Sequence, residues 1–208
     1  MAKKIFALLL AAMLVLSLAA CGDKTDDSSN NGDNSNNDNS ANTEVSGLTE
    51  AIAEYPALVT SGGQSADYQM IATVMEKQDM EFTTNNLATS ADLGDAKTLI
   101  LAVGGSSKGL GAAGIDADGE LARLDELMKA AKDAGVTIIA MHTGGEARRG
   151  DLSDKFIAPV FDMADYAIVV SSGDTDGLMA GLCSKNGIPM DSIESISDVV
   201  SVLPAAFK

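Results

Sequence analysis

The chain has 208 residues, carries 30 Asp and Glu against 14 Lys and Arg, and so has a formal net charge of −16, with 46% hydrophobic residues. That balance excludes a nucleic-acid partner, because neutralising a phosphate backbone needs a broad basic surface. The hydrophobic share is enough for a folded core, and the two cysteines are too few for a disulfide framework.

Residues 1–21 read as an export address. Lys3 and Lys4 precede an apolar run over 5–16, and Leu18-Ala19-Ala20-Cys21 has the small-residue pattern of a cleavage site. The cysteine at that point resembles the bacterial lipobox, which makes Cys21 the lipidated first residue of the mature chain; an ordinary signal with an incidental cysteine is the alternative. Residues 22–44 are Asp, Asn and Ser with almost nothing apolar, so they cannot bury enough surface to offset their ordering entropy and form a tether. Residues 45–208 then form a single α/β domain of 164 residues with 24 acids and 11 bases.

Along that domain, strands alternate with helices. An apolar run at 57–60 ends at Ser61-Gly62-Gly63, and Ser65 then stands as a helix N-cap ahead of Met70, Ile71, Val74 and Met75 at helical spacing. Residues 81–84 are a weaker strand. Residues 98–103 are continuously apolar, the mark of a strand covered on both faces. Leu121, Leu124, Leu127, Met128 and Ala131 make one face of the next helix, which Gly135 ends. Further strands follow at 136–141 and 166–170, with helices over about 153–163, 178–186 and 196–206. Cys183, on the helix over 178–186, reads as a small buried hydrophobe.

This pattern predicts a three-layer αβα domain with a mostly parallel five-stranded sheet, flavodoxin-like or Rossmann-like. Right-handed crossovers place every strand-to-helix turn at one edge of the sheet, where ligands bind at the topological switch point. In a 2-1-3-4-5 order the switch lies between the first and third strands. Three Gly-rich turns then meet there: 60–65, 104–111 and 142–150.

These turns hold the candidate site. The ligand-binding candidates are Ser61, Gly62, Gly63, Gln64, Ser65, Ser106, Lys108, Gly109, His142, Gly144, Gly145, Arg148 and Arg149. Two of the three arginines and the only histidine fall in one turn. Planar guanidinium forks suit carboxylate or phosphate; the alternative is that Glu146, Asp151 and Asp154 neutralise them locally. Gly109-Leu110-Gly111-Ala112-Ala113-Gly114 matches the spacing of a dinucleotide loop, but residues 115–119 interrupt before a helix can start and the next strand does not end near an acid. A turned loop allowing close backbone approach is the better account. One histidine with no ligand spacing around it makes no metal site. The two Asp-x-Asp-Gly pieces at 116–119 and 174–177 read as helix caps through Asp118 and Asp176, rather than calcium loops. No cofactor is expected.

The strings Thr60-Ser61-Gly62-Gly63-Gln64-Ser65, Lys108 to Gly114, and Gly144 to Gly150 with Ser153-Asp154-Lys155 resemble a family of small bacterial extracytoplasmic lipoproteins defined only by a domain of unknown function. The resemblance implies fold and an extracytoplasmic, lipid-anchored location, and no catalytic residues.

The function expected from these features is a membrane-tethered binding protein for a small anionic metabolite, a carboxylate or phosphate, with a membrane transporter as a natural recipient. Two alternatives stand beside it: a hydrolase or transferase using Ser61 or Ser106 with Lys108 or His142, and an interaction module docking through Arg148 and Arg149.

Overall fold

A computed structural model describes residues 45–208. The export address, Cys21 and the tether lie outside the described residues. Six strands form one fully parallel sheet: β1 (Ala57–Gly62), β2 (Phe82–Thr84), β3 (Thr98–Val103), β4 (Thr137–His142), β5 (Tyr166–Val170) and β6 (Met190–Ile193). Their spatial order is β2-β1-β3-β4-β5-β6, so the chain reverses direction across the sheet between β1 and β3. The helices are α1 (Asp67–Lys77), α2 (Ser107–Ala113), α3 (Ala117–Asp133), α4 (Asp151–Phe161), α5 (Leu178–Asn186) and α6 (Val199–Ala205).

Both faces of the sheet are covered. Leu58, Leu99, Leu101, Ile138 and Val169 pack against Leu124 and Leu127 of α3, Phe156 and Val160 of α4, and Met179 and Cys183 of α5. On the other face Val59, Ile100, Ile139 and Ile168 meet Ile71 and Met75 of α1 and Val199 and Leu203 of α6. Alternate residues of each strand therefore feed different layers, which is why β1, β3 and β5 are buried at every position and why β3 and β5 read as near-continuous apolar runs, whereas β1 ends in the buried polar Thr60 and Ser61. Cys183 is fully buried, and its desolvation pushes the thiol up to about 12.

Four details differ from the sequence reading. The sheet has a sixth strand, β6, whose Met-Asp-Ser-Ile lacks an apolar run because it lies at the sheet edge with Asp191 only partly covered and Ser192 exposed. The Gly109-Leu110-Gly111 segment is helix α2, not a turned loop: the Ser106 hydroxyl accepts the Gly109 amide, and Gly114 ends the helix at a left-handed φ of 71°. Asp116, not Asp118, caps α3, its carboxylate accepting from Gly119 N at 2.8 Å. Ala66, not Ser65, occupies the N-cap of α1, while at α5 Asp176 accepts from Leu178 N at 3.3 Å as expected and Asp174 adds acceptors for the next two amides, Met179 N and Ala180 N.

Candidate functional site

The parallel order gathers the turns after β1, β3 and β4 along the carboxyl edge. At the switch point Gly63 adopts φ +114°, where a Cβ would stand 2.6 Å from the Gly104 carbonyl, so the β1 turn requires glycine. A Cβ on Gly109 would run into the Gln64 carbonyl, so this glycine lets α2 lie directly on the β1 turn. The contact closes one side of a cleft of about 440 Å³ lined by Gln64, Ser65, Tyr68, Asn86, Leu87, Ser106, Lys108, Gly109, Ala112 and Ala113.

Of the predicted residues, Gln64, Ser65, Ser106, Lys108 and Gly109 share this cleft. Four amides of these turns are satisfied within the protein. Gly63 N donates to Glu120, Ser65 N to the Gly104 carbonyl, Gly105 N to the Ser153 hydroxyl and Gly109 N to Ser106. Ser61 is fully buried and donates to the Ser65 carbonyl, and Gly62 is paired inside the sheet with Val103.

The β4 turn is organised by its own carboxylates. Arg149 is 15% exposed and holds Asp154 at 2.8 Å and Asp176 at 2.9 Å, with a further bond to the Gly173 carbonyl at 2.6 Å. Arg148 is 39% exposed, lies over Gly144, and places Nε 3.2 Å from Asp67. Asp154 acts as the sequence reading expected, but the other partners are Asp176 and Asp67 rather than Glu146 and Asp151. His142 is buried beneath this turn, with Nδ1 3.0 Å from the Val103 carbonyl and Nε2 3.3 Å from that of Gly145. Gly145 is itself buried at φ +59°. Burial lowers the His142 pKa, and a neutral ring donates one proton only, so the shorter contact to Val103 is the assigned N–H bond. Neither ring nitrogen bonds a serine.

Arg149 should show in the acid limb of stability. Its hydrogen bonds hold Asp154 below the usual carboxylate range and Asp176 at about 2. Depressed carboxylates stabilise the fold above their unfolded pKa, near 3.9, and lose that contribution as pH falls through the folded value, here from about pH 4 to 2. Asp176 is 57% exposed, which discounts the pair through solvent screening. Arg149→Met is therefore expected to lose about 1–2 kcal/mol at pH 7 and to show a shallower decline between pH 4 and 2, measured by urea unfolding across that range. An unchanged acid slope would remove the clamp as its source.

The residues missed in sequence are Glu120, Arg123, Asp67 and Asn86. Glu120 is fully buried in the first turn of α3 and forms a 2.7 Å ion pair with Arg123, whose side chain is 10% exposed. Gln64 donates to Glu120 at 3.1 Å and to the Asn86 carbonyl at 2.9 Å, and accepts from the Asn86 amide at 3.1 Å. The β1 turn, the 85–89 loop and α3 are thus tied together behind the cleft. A visible signal exists: residues 120, 124, 127, 128 and 131 share one buried helical face, so Glu120 occupies a core position by spacing.

Unsatisfied hydrogen-bonding capacity in the cleft is weighted toward donors. Among the described residues no acceptor engages Lys108 Nζ or the hydroxyl hydrogens of Ser106 and Tyr68; Ser106 and Tyr68 only accept, from Gly109 and Gln69. Two other hollows, about 470 and 450 Å³, lie at the amino edge beneath residues 45–52; their charged lining residues are Glu50 and Asp191, the wrong sign for an anion. Among the described residues no cluster of three or more metal-ligating side chains occurs.

A family model described as a domain of unknown function, DUF6305, matches residues 54–207, and the chain belongs to that family. No curated protein matches the sequence. Solved structures similar to this chain include the psychrotrophic esterase EstA from Pseudoalteromonas sp., at 10% identity and TM-score 0.31, covering 66% of this chain and 76% of that one. They also include TesA, at 9% identity and TM-score 0.30 over 65% and 77% of the two chains. The esterase AlinE4, of the SGNH-hydrolase family, matches at 10% identity and TM-score 0.30 over 76% and 82%. Superposition that loose carries no argument about chemistry.

Proposed function

We propose that this DUF6305 chain is a lipid-anchored extracytoplasmic binding domain that takes a small anionic molecule, bearing a carboxylate or phosphate, in the cleft between the β1 turn and α2. The observation that carries the reading is the donor surplus at the switch point: Lys108, Ser106 and Tyr68 converge on a cleft whose wall residue Gln64 is fixed from behind by Glu120 and Asn86. Such a cavity favours an acceptor-rich ligand whose charge meets Lys108 and whose body packs on Tyr68, Leu87, Ala112 and Ala113. The described domain also begins at the opposite pole, where Met190 N at the start of β6 donates to the Ser46 carbonyl. The buried His142 and the carboxylate-bound Arg149 are structural in this reading.

A second reading has its own support, since Ser106 and Lys108 line the same cleft and a serine–lysine pair is a known hydrolytic arrangement. Thermal-shift and calorimetric titration against a panel of carboxylates and phosphates, run beside ester turnover assays, separates the two. Saturable stabilisation without turnover supports the binder. Turnover abolished by Ser106→Ala supports the hydrolase. No saturable response to any anion overturns the binding proposal.

A further inference from the structure

The deepest part of the switch point is already filled. Glu120 Oε1 accepts from Gly63 N at 2.9 Å, from Gln64 Nε2 at 3.1 Å and from Arg123 Nη2 at 2.7 Å. Its Oε2 accepts from Arg123 Nε at 2.8 Å and from Gln64 Nε2 at 3.2 Å. A two-nitrogen guanidinium grip, a backbone N–H from a glycine turn and a primary amide around one carboxylate make a complete receptor for that group. The occupant happens to be covalently attached.

The receptor does not depend on its occupant for its shape. Arg123 is held from the far side by the Ala88 and Ser61 carbonyls, each at 2.6 Å. The Gln64 amide is fixed by exchange of two hydrogen bonds with Asn86. Gly63 is fixed by the β1 turn, its own carbonyl accepting from Ser106 N at 2.9 Å. Nor is Glu120 needed to start its helix, because Asp116 caps α3.

We propose that the switch point is a self-occupied carboxylate site with Glu120 as its internal ligand, and that removing this side chain leaves a receptor for a free carboxylate the size of acetate. Glu120→Ala deletes one methylene carbon and the carboxylate, and acetate returns one methyl carbon and a carboxylate. The site is buried behind Gln64 and does not involve Lys108, so the proposal stands apart from the cleft reading.

The test is thermal unfolding of Glu120→Ala at constant ionic strength in acetate, propionate or chloride. Acetate should raise Tm saturably, by roughly 3–6 °C at about ten times its Kd, with propionate weaker and chloride inert. Wild type, Glu120→Gln and Glu120→Ala/Arg123→Met should not respond, whereas Glu120→Ala/Lys108→Met should respond like Glu120→Ala. Should Glu120→Ala not fold in chloride, recovery of the fold in acetate is the same positive result. Absence of a saturable acetate effect on either folding or Tm overturns the proposal, as does an equal effect in Glu120→Gln.

Discussion

Arg123→Met should lower the free energy of unfolding by about 3–5 kcal/mol, the range for removing one partner of a buried ion pair. The substitution keeps most of the aliphatic stem, so the loss reports the guanidinium and not a cavity. Glu120 remains, fully buried, with only Gly63 N and Gln64 Nε2 to satisfy a carboxylate. The Ala88 and Ser61 carbonyls lose their shared donor in the same step. Glu120→Met alone leaves the opposite charge in place, but Arg123 then keeps two carbonyl acceptors and some exposure, so its loss should be smaller. The double variant Glu120→Met/Arg123→Met should lose less than the two singles combined, with a coupling of about 1–3 kcal/mol. Urea unfolding followed by circular dichroism measures all three, and an unchanged denaturant slope confirms that folded stability moved rather than the denatured state. A loss below about 1 kcal/mol in Arg123→Met would mean that solvent reaches Glu120 and that the pair behaves like a surface bridge.

That pair also shows where sequence reading stops. Strands β3, β4 and β5 are legible because residues covered on both faces leave an unbroken apolar run, and their order follows from chain reversal at a parallel switch. β6 is not, because an edge strand with a half-covered Asp191 and an exposed Ser192 carries no such run. α2 hides behind Gly109 and Gly111, poor helix formers; what keeps it helical is the Ser106 cap and the need for Gly109 to lie against the Gln64 carbonyl. Glu120 and Arg123 look like an ordinary surface pair three residues apart until Glu120 is placed on the Leu124–Leu127–Ala131 face. The partners of Arg149 divide the same way: Asp154 is five residues on and visible, whereas Asp176 arrives only through the fold, after β5. Clustering of cations in a glycine turn is thus readable from the chain. Whether each cation is open depends on acids that tertiary structure delivers.

The same distinction separates Lys108 from the arginines in any binding experiment. For an anion found by the ligand panel, Lys108→Met should weaken affinity roughly 10- to 150-fold, the equivalent of losing one hydrogen bond to a charged group. Tm without ligand should be almost unchanged, since Lys108 is exposed and engages no acceptor among the described residues. Arg149→Met should do the reverse. Its guanidinium is already bound on three sides by Asp154, Asp176 and the Gly173 carbonyl. It is therefore worth stability and little affinity. Arg148→Met tests the intermediate case, because Asp67 takes its Nε while its terminal nitrogens engage no acceptor among the described residues. Asp67 in turn accepts the Ser65 hydroxyl at the cleft wall, which gives Arg148 an indirect route to the ligand and an expected loss of less than about tenfold. Calorimetric Kd values beside ligand-free Tm for the three variants make the comparison. A large affinity loss in Arg149→Met with Lys108→Met left near wild type would move the anion from the β1–α2 cleft to the β4 turn.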